Sequence, residues 1–114
     1  MNAKKEFIGH TFNKSVKCAM ITFGGYDDSV RYTLPCAWNK EEYDTFLKSI
    51  DREYDDGYGG QELFGTIWYT DGTWSSRWEY DGSEGWEYNH VPTIPEDMER
   101  KDLVRDLKIE DIVK

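Results

Sequence analysis

The chain has 114 residues, 16% of them aromatic, and a formal net charge of −9 at pH 7. Its length and aromatic content predict one folded domain spanning residues 1–114, not a disordered chain. No apolar run approaches the ~20 residues that cross a bilayer, and the N-terminus lacks the apolar segment of a signal peptide, so we expect a cytoplasmic protein without a membrane partner.

Two strand patterns follow a weakly patterned N-terminus. Residues 1–14 show no clear period, and we expect a frayed or edge-covering segment there. Its apolar anchors would be Phe7, Ile8 and Phe12. Residues 15–23 (SVKCAMITF) are rich in strand formers and apolar on nearly both faces, which predicts a central strand. Residues 29–34 alternate between apolar and polar side chains, which predicts a second strand.

Residues 39–54 carry the pattern of an amphipathic helix. Asn39 is a favourable N-cap, and Glu42 three residues later completes the spacing of a capping box. Trp38 and Tyr43 have the spacing of a hydrophobic staple across the helix start. The apolar stripe comprises Tyr43, Phe46, Leu47, Ile50 and Tyr54, and we expect it to pack on one face of a sheet.

Residues 61–91 hold four of the five tryptophans and two Asp-Gly pairs between alternating residues, which predicts two hairpins. A two-residue loop at Asp71-Gly72 would pair Tyr69 with Trp74. This register places the following side chains in the core: Leu63, Ile67, Tyr69, Trp74, Trp78 and Tyr80. The opposite, partly wet face would carry Phe64, Thr66, Trp68, Ser75, Arg77 and Glu79.

The second turn, at Asp81-Gly82, allows two registers. A two-residue loop would send Trp86 and Tyr88 to the wet face. A three-residue loop instead pairs Trp78 with Trp86 and keeps the aromatic side chains together. We favour the three-residue loop, because a slip of one residue moves every side chain to the other face.

Residues 96–114 follow a Pro-Thr-Ile-Pro link, and their acidic first turn and spaced apolar residues predict a C-terminal helix. Together the elements predict the α+β class. We expect an antiparallel sheet of about five strands, arranged as a meander, with the 39–54 helix packed on it and a C-terminal helix.

No residue pattern in the chain matches a catalytic or cofactor site. The glycines of residues 57–60 lack the spacing and the lysine of a phosphate-binding loop. Cys18 and Cys36 lack the spacing of a metal site and are expected to be buried thiols in neighbouring strands. Glu79 with Glu84 would suit glycoside hydrolysis only beside a sugar-sized cleft, for which the chain is small. We therefore expect no enzymatic activity, no catalytic residue, no metal and no cofactor.

The acidic residues are concentrated in two segments. Residues 41–62 carry eight acids against two basic residues, a net −6, and residues 79–87 carry four acids and no basic residue, a net −4. This charge disfavours direct binding to nucleic acid but suits a basic protein surface, including one that normally binds nucleic acid. A role in solubility alone remains an alternative. The predicted partner-binding residues are Glu53, Asp55, Asp56, Tyr58, Glu62, Trp68, Glu79, Asp81, Glu84 and Glu87.

Three motifs carry a resemblance to known proteins: YTDGTW at 69–74, EYDGSEGWEY at 79–88 and PTIP at 92–95. In these motifs the chain resembles small acidic phage-encoded accessory proteins of the anti-CRISPR and anti-restriction type. The resemblance spans residues 69–95. It implies a small, non-enzymatic inhibitor of host defence nucleases and supplies no catalytic residues.

These observations predict a non-enzymatic inhibitor, encoded by a phage or mobile element. Its acids would occupy a basic, nucleic-acid-binding surface of a host protein or ribonucleoprotein. The alternative is a small-ligand or carbohydrate-binding module that uses exposed aromatic residues of the hairpins. A third interpretation, a small enzyme, would need two carboxylates facing each other across a pocket.

Overall fold

A computed structural model describes residues 1–24, 29–54, 61–81, 83–93 and 95–98. Its elements in chain order are helix α1 (Ala3–His10), strands β1 (Val16–Phe23) and β2 (Val30–Leu34), helix α2 (Lys40–Ser49), strands β3 (Leu63–Tyr69), β4 (Trp74–Tyr80) and β5 (Ser83–Asn89), and a 3-10 turn (Glu96–Met98). The predicted C-terminal helix lies, beyond Met98, outside the described residues.

All five strands form one antiparallel sheet in the order β2-β1-β3-β4-β5. This confirms the predicted α+β class and the central position of β1. A strict meander would pair β2 with β3, but β3 pairs with β1 instead, with Ile21 opposite Gly65. Strand β1 suits this position because it carries apolar side chains on both faces.

Helix α2 begins as the sequence predicts. Asn39 Oδ1 accepts a hydrogen bond from the Glu42 amide at 2.8 Å, and Glu42 Oε1 accepts one from the Asn39 amide at 3.1 Å. The rings of Trp38 and Tyr43 stack across the helix start, with centroids 5.1 Å apart. The predicted capping box and hydrophobic staple are therefore both confirmed.

Residues 50–54 leave the helix and pair with the N-terminus, so the helix is shorter than predicted. The amide of Ala3 donates to the Arg52 carbonyl at 3.0 Å, and the amide of Tyr54 donates to the Met1 carbonyl at 2.9 Å. Tyr54 is still buried, with 6% of its surface exposed. Pairing with a distant segment thus replaces the last predicted helical turn without exposing the apolar stripe.

The N-terminal segment forms a helix that packs into the core, so the expectation of a frayed segment is wrong. Asn2 is the N-cap of α1. Phe7 is fully buried, and its ring meets the Phe46 ring edge-on with centroids 5.4 Å apart. Of the expected anchors only Phe7 is buried, since Ile8 is 37% and Phe12 78% exposed.

The hairpin between β3 and β4 has a three-residue loop in place of the predicted two-residue loop. Trp68 therefore lies opposite Trp74. Gly72 has a φ of 89°, the left-handed conformation that closes a type I turn with a bulge. The Asp71 side chain accepts a hydrogen bond from the Thr73 amide at 2.9 Å and stabilises this turn.

The hairpin between β4 and β5 has a two-residue connection, which is the register that we did not favour. Trp78 lies opposite Gly85, and Arg77 lies opposite Trp86. Asp81 has a φ of 52°, as the first residue of a type I′ turn requires. The predicted pairing of Trp78 with Trp86 is therefore wrong.

The slip at the first turn exchanges the faces of β4, and the slip at the second turn returns β5 to its predicted face. Ser75 and Arg77 lie on the inner face, against which both helices pack, where Trp74 and Trp78 were predicted. Ser75 is 0% exposed and the Arg77 side chain 2% exposed, whereas Trp78 is 39% exposed. The other buried inner residues are Ala19, Ile21, Phe23, Leu34, Leu63, Ile67, Tyr69, Glu84 and Trp86. The opposite face, called the outer face below, carries Met20, Thr22, Phe64, Thr66, Trp68, Trp74, Ser76, Trp78, Tyr80, Gly85 and Glu87.

Gly65 makes room for Trp86 on the inner face. A Cβ atom at Gly65 would lie 2.5 Å from the Met20 carbonyl oxygen and 3.1 Å from the Trp86 ring. Because no side chain stands there, the indole packs onto the sheet. It also lies against the Arg77 guanidinium, whose Cζ is 5.2 Å from the ring centroid. Trp86 thereby reaches the core from β5 at the edge of the sheet.

Candidate partner-binding surfaces

A buried ion network centred on Arg77 joins α1, the segment after α2 and the β4–β5 hairpin. Arg77 Nη2 lies 2.6 Å from Glu84 Oε1, and Nη1 lies 2.8 Å from Glu6 Oε1. Nη2 also donates to the Tyr54 hydroxyl oxygen at 3.1 Å, and that hydroxyl donates to Glu6. The Arg77 and Glu84 side chains are each 2% exposed, so this Arg77 network is withdrawn from solvent.

The groups of the Arg77 network are satisfied by one another and by the backbone. Glu84 accepts hydrogen bonds from the amides of Glu62 and Leu63, each at 3.1 Å. Burial opposes the charge on Arg77, but the hydrogen bonds to Glu84 and Tyr54 outweigh it and raise the pKa of Arg77. The pKa of Tyr54 is raised, first by burial of the hydroxyl and second by its hydrogen bond to the carboxylate of Glu6. Neither group changes charge near neutral pH, which favours a structural role over proton transfer.

The predicted partner-binding residues divide into buried, exposed and undescribed positions. Glu84 is only 6% exposed and is bonded within the Arg77 network, so its carboxylate does not face a partner. Trp68 is 40% exposed on the outer face. Asp55, Asp56 and Tyr58 lie outside the described residues. The acids that face solvent are Glu53, Glu62, Glu79, Asp81 and Glu87.

The two acidic segments of the sequence meet at the Arg77 network. Tyr54 comes from the first segment and Glu84 from the second, and both are bonded to Arg77. Exposed acids adjoin these bonded residues in the chain or across the sheet. These exposed acids are Glu53, Glu62, Glu79 and, at the adjoining turn, Asp81.

The outer face carries a trough between two aromatic walls, which we call the outer trough. Its floor is Thr66 with Ser76, and its walls are Trp68 with Trp74 and Phe64 with Trp78. The two walls are four residues apart along each strand, about 13 Å between Cα atoms. Three of the wall residues, Phe64, Trp68 and Trp78, are 39–42% exposed.

The two ends of the outer trough differ in chemistry. Met20 lies beside the floor on β1, and Glu87 lies beside it on β5. Glu87 is exposed and, among the described residues, forms no hydrogen bond or ion pair. Trp78 packs over Gly85, with its ring atoms 3.0 Å from where a Cβ atom would stand, and this holds the wall next to Glu87.

A contact between a serine and a histidine lies beneath α1. His10 Nε2 is 2.8 Å from Ser75 Oγ, which is 2.7 Å from the Tyr69 hydroxyl oxygen. Ser75 is fully buried, so a substrate cannot reach its hydroxyl. Burial first, and then the positive charges of Lys14 and Arg77, lower the pKa of His10 to about 4. The contact therefore joins the helix to the sheet as a neutral hydrogen bond.

The depressed pKa of His10 predicts a loss of stability in mild acid. The pKa of His10 is 6.5 in the unfolded chain and about 4 in the folded chain, so between these pH values only the unfolded chain binds a proton at His10. We expect the free energy of unfolding to fall by about 1 kcal/mol, a figure that already allows for the partial exposure of the ring. His10→Gln can still bond to Ser75 but does not titrate, and it should flatten this part of the pH profile of urea unfolding. An unchanged slope in H10Q would contradict the assignment.

Cys18 and Cys36 are free thiols that lie near each other. Cys18 is half-buried on β1 and Cys36 is exposed just after β2, so the prediction of two buried thiols is wrong for Cys36. Burial and the neighbouring Cys36 thiol raise the pKa of Cys18. Among the described side chains, no group of three or more His, Cys, Asp or Glu is placed to hold a metal ion.

Comparison with known proteins does not assign the chain to a family. No family model, curated protein or solved structure matches it. Within the described ranges, no helix combines the length and the apolar character needed to cross a membrane. The exposed acids around the Arg77 network and the outer trough are the two candidate binding surfaces.

Proposed function

We propose that this protein is a non-enzymatic inhibitor of phage or mobile-element origin that binds a basic surface of a host defence complex. The target would be a protein or ribonucleoprotein in the cytoplasm of the host bacterium, at a surface that normally binds nucleic acid. The resemblance of residues 69–95 to anti-CRISPR and anti-restriction inhibitors supports this class of function.

The observation that carries the proposal is the meeting of the two acidic segments at Arg77. Tyr54 and Glu84 connect them through one guanidinium, although the segments are separated in sequence. The carboxylates around this network are exposed, and among them Glu53 also pairs with the N-terminal ammonium at 3.5 Å. Such a surface attracts clusters of lysine and arginine and competes with phosphates for them.

Inhibition of this kind is steric and electrostatic and needs no turnover. Glu84 contributes from the interior, because its bonds to Arg77 and to two backbone amides hold the hairpin in place. Trp68 offers an exposed aromatic ring of the type that supplies binding energy at protein interfaces. The acids would then determine the rate of association and the choice of partner.

Matched charge variants test this proposal. E79Q/D81N and E41Q/D44N each remove two negative charges, the first pair at the β4–β5 hairpin and the second on α2. We expect immobilised wild-type protein to retain basic, nucleic-acid-binding proteins from a host lysate and to release them when duplex DNA or RNA is added. Mass spectrometry should show weaker retention on the hairpin variant and unchanged retention on the α2 variant.

The same experiment defines the contrary result. Retention that persists in high salt and is equal in both double variants would contradict an electrostatic mechanism, since exposed charges are screened at high ionic strength. Retained proteins that nucleic acid does not displace would contradict occupation of a nucleic-acid-binding surface.

The exposed rings of the outer trough favour a second candidate, a carbohydrate-binding module. Sugars stack on exposed tryptophans, and Trp68 and Trp78 are 40% and 39% exposed. A panel of neutral oligosaccharides that shifts tryptophan fluorescence in the wild type but not in Trp68→Ala would favour this candidate. No shift at millimolar sugar would remove it.

A further inference from the structure

The outer trough combines aromatic walls with a carboxylate that has no partner in the described part of the chain. Glu87 stands at the β5 end of the floor, beside Ser76. The basic residue Arg31 lies on the same face, but on β2, four strands away and about 19 Å distant. Among the described residues, no lysine or arginine lies over a wall ring, whereas such contacts do occur elsewhere in the molecule.

A cation is the ligand that this combination of groups selects. The π faces of tryptophan and phenylalanine attract positive charge, tryptophan most strongly. A carboxylate at the end of the same trough adds a charge-assisted hydrogen bond. Guanidinium fits better than ammonium, because it is planar, stacks on aromatic rings and can meet a carboxylate with two parallel donors.

We infer that the outer trough binds the guanidinium group of an arginine side chain presented by a protein partner, stacked on the wall formed by Trp68 with Trp74 and paired with Glu87. The inference rests on the proposed function, whose partner is basic, and it names the residue type that the partner presents. The floor residues Thr66 and Ser76 are small, and the Ser76 hydroxyl oxygen accepts a hydrogen bond from the Asn89 side-chain amide at 2.9 Å.

Other occupants fit the outer trough less well. An apolar surface would bury Glu87 without a partner for its charge, which is unfavourable. A second copy of the chain brings another net charge of −9 to the same place, and the copies would repel each other. An anion would be repelled by Glu87. A neutral sugar uses the rings but gains nothing from the charge of the carboxylate.

Short peptides test the inference on the full-length protein. One peptide alternates arginine with glycine, and matched peptides replace arginine with lysine or with the neutral, planar citrulline. We expect the arginine peptide to bind most tightly by calorimetry and to change tryptophan fluorescence, and the citrulline peptide to bind least. Glu87→Gln and Trp68→Ala should each weaken binding about fivefold. The control Glu41→Gln makes the same change of charge elsewhere, and the control Phe12→Ala removes another exposed aromatic ring; neither should have an effect.

The alternatives give different results. If the arginine peptide binds E87Q and W68A as tightly as the wild type but is weakened by E79Q/D81N, the inference fails and the proposed function stands. If no cationic peptide binds the wild type at low salt, both fail. Leu107 lies in the predicted C-terminal helix, and peptide binding that appears only in Leu107→Asp would mean that residues 99–114 occupy the outer trough, which would overturn the inference. Oligosaccharide binding lost in W68A, or a dimer in sedimentation that W68A dissociates, would overturn it as well.

Discussion

Arg77→Met is expected to lower the free energy of unfolding by about 3–5 kcal/mol, because it leaves buried carboxylates without their partner. Glu84, 2% exposed at its side chain, would lose its 2.6 Å ion pair, and Glu6 would lose its 2.8 Å ion pair. Methionine keeps much of the volume of arginine, so the loss would report charge and not a cavity. Urea unfolding followed by tryptophan fluorescence measures the effect.

A double variant separates the charge from the packing. R77M/E84Q removes the charge of Glu84, one of the two carboxylates that R77M leaves without an ion pair. The glutamine oxygen can still accept a hydrogen bond from the Glu62 or Leu63 amide. We expect its loss of unfolding free energy to be about 1–3 kcal/mol smaller than the sum of the losses in R77M and E84Q, because the two residues belong to one network. Strict additivity of the two single changes would contradict a coupled network.

Phe7→Ala is expected to cost about 3–5 kcal/mol of stability, the range for removing a large ring from a packed core. Phe7 is 0% exposed and meets Phe46 at a centroid distance of 5.4 Å, so it connects α1 to α2 beneath the sheet. Equilibrium unfolding in urea, or a chevron plot of the folding and unfolding rates, measures the loss of unfolding free energy.

The same segment supplies the control for this change. Phe12 is 78% exposed, and Phe12→Ala should stay within about 0.5 kcal/mol of the wild type. A cost below about 1 kcal/mol for Phe7→Ala would mean that the N-terminal segment is not part of the core, as its weak sequence pattern suggested.

Where the signals are local, the sequence predicted the fold well. The capping box of Asn39 with Glu42 and the stack of Trp38 on Tyr43 involve residues within five positions of each other, and both are present. The apolar character of β1 on both faces correctly placed it inside the sheet. Each of these features depends on propensity and spacing alone, which a single sequence displays.

Contacts between distant segments account for the errors in the helices. The N-cap Asn2 was a local signal for α1, but the segment lacks a clear apolar stripe. Its stability comes from contacts such as Glu6 with Arg77, which are far apart in sequence. Likewise α2 ends at Ser49 because the following residues pair with the N-terminus, and no pattern within the helix announces that partner.

The candidate surfaces were predicted in part. Clustering of acids and the exposure of Trp68 are visible in the sequence. The burial of Glu84 is not, because a glutamate two residues from a hairpin turn ordinarily faces solvent. The outer trough was missed for a related reason. Trp74 and Trp78 were assigned to the core as large aromatic residues, so two of the four wall residues were not predicted on the outer face.

Local chemistry was sufficient for the identity of the five strands and of α2, for the start of α2 and for the two hairpins at the Asp-Gly turns. The register of those hairpins was settled by the three-dimensional packing. Both turns accept two-residue or three-residue loops, and the choice at the first turn decides which face of β4 is buried. Ser75 and Arg77 take the core face because His10 and Glu6 on α1, together with Glu84, satisfy their polar groups there. Trp74 and Trp78 need no such partners, and they are left to form the outer trough.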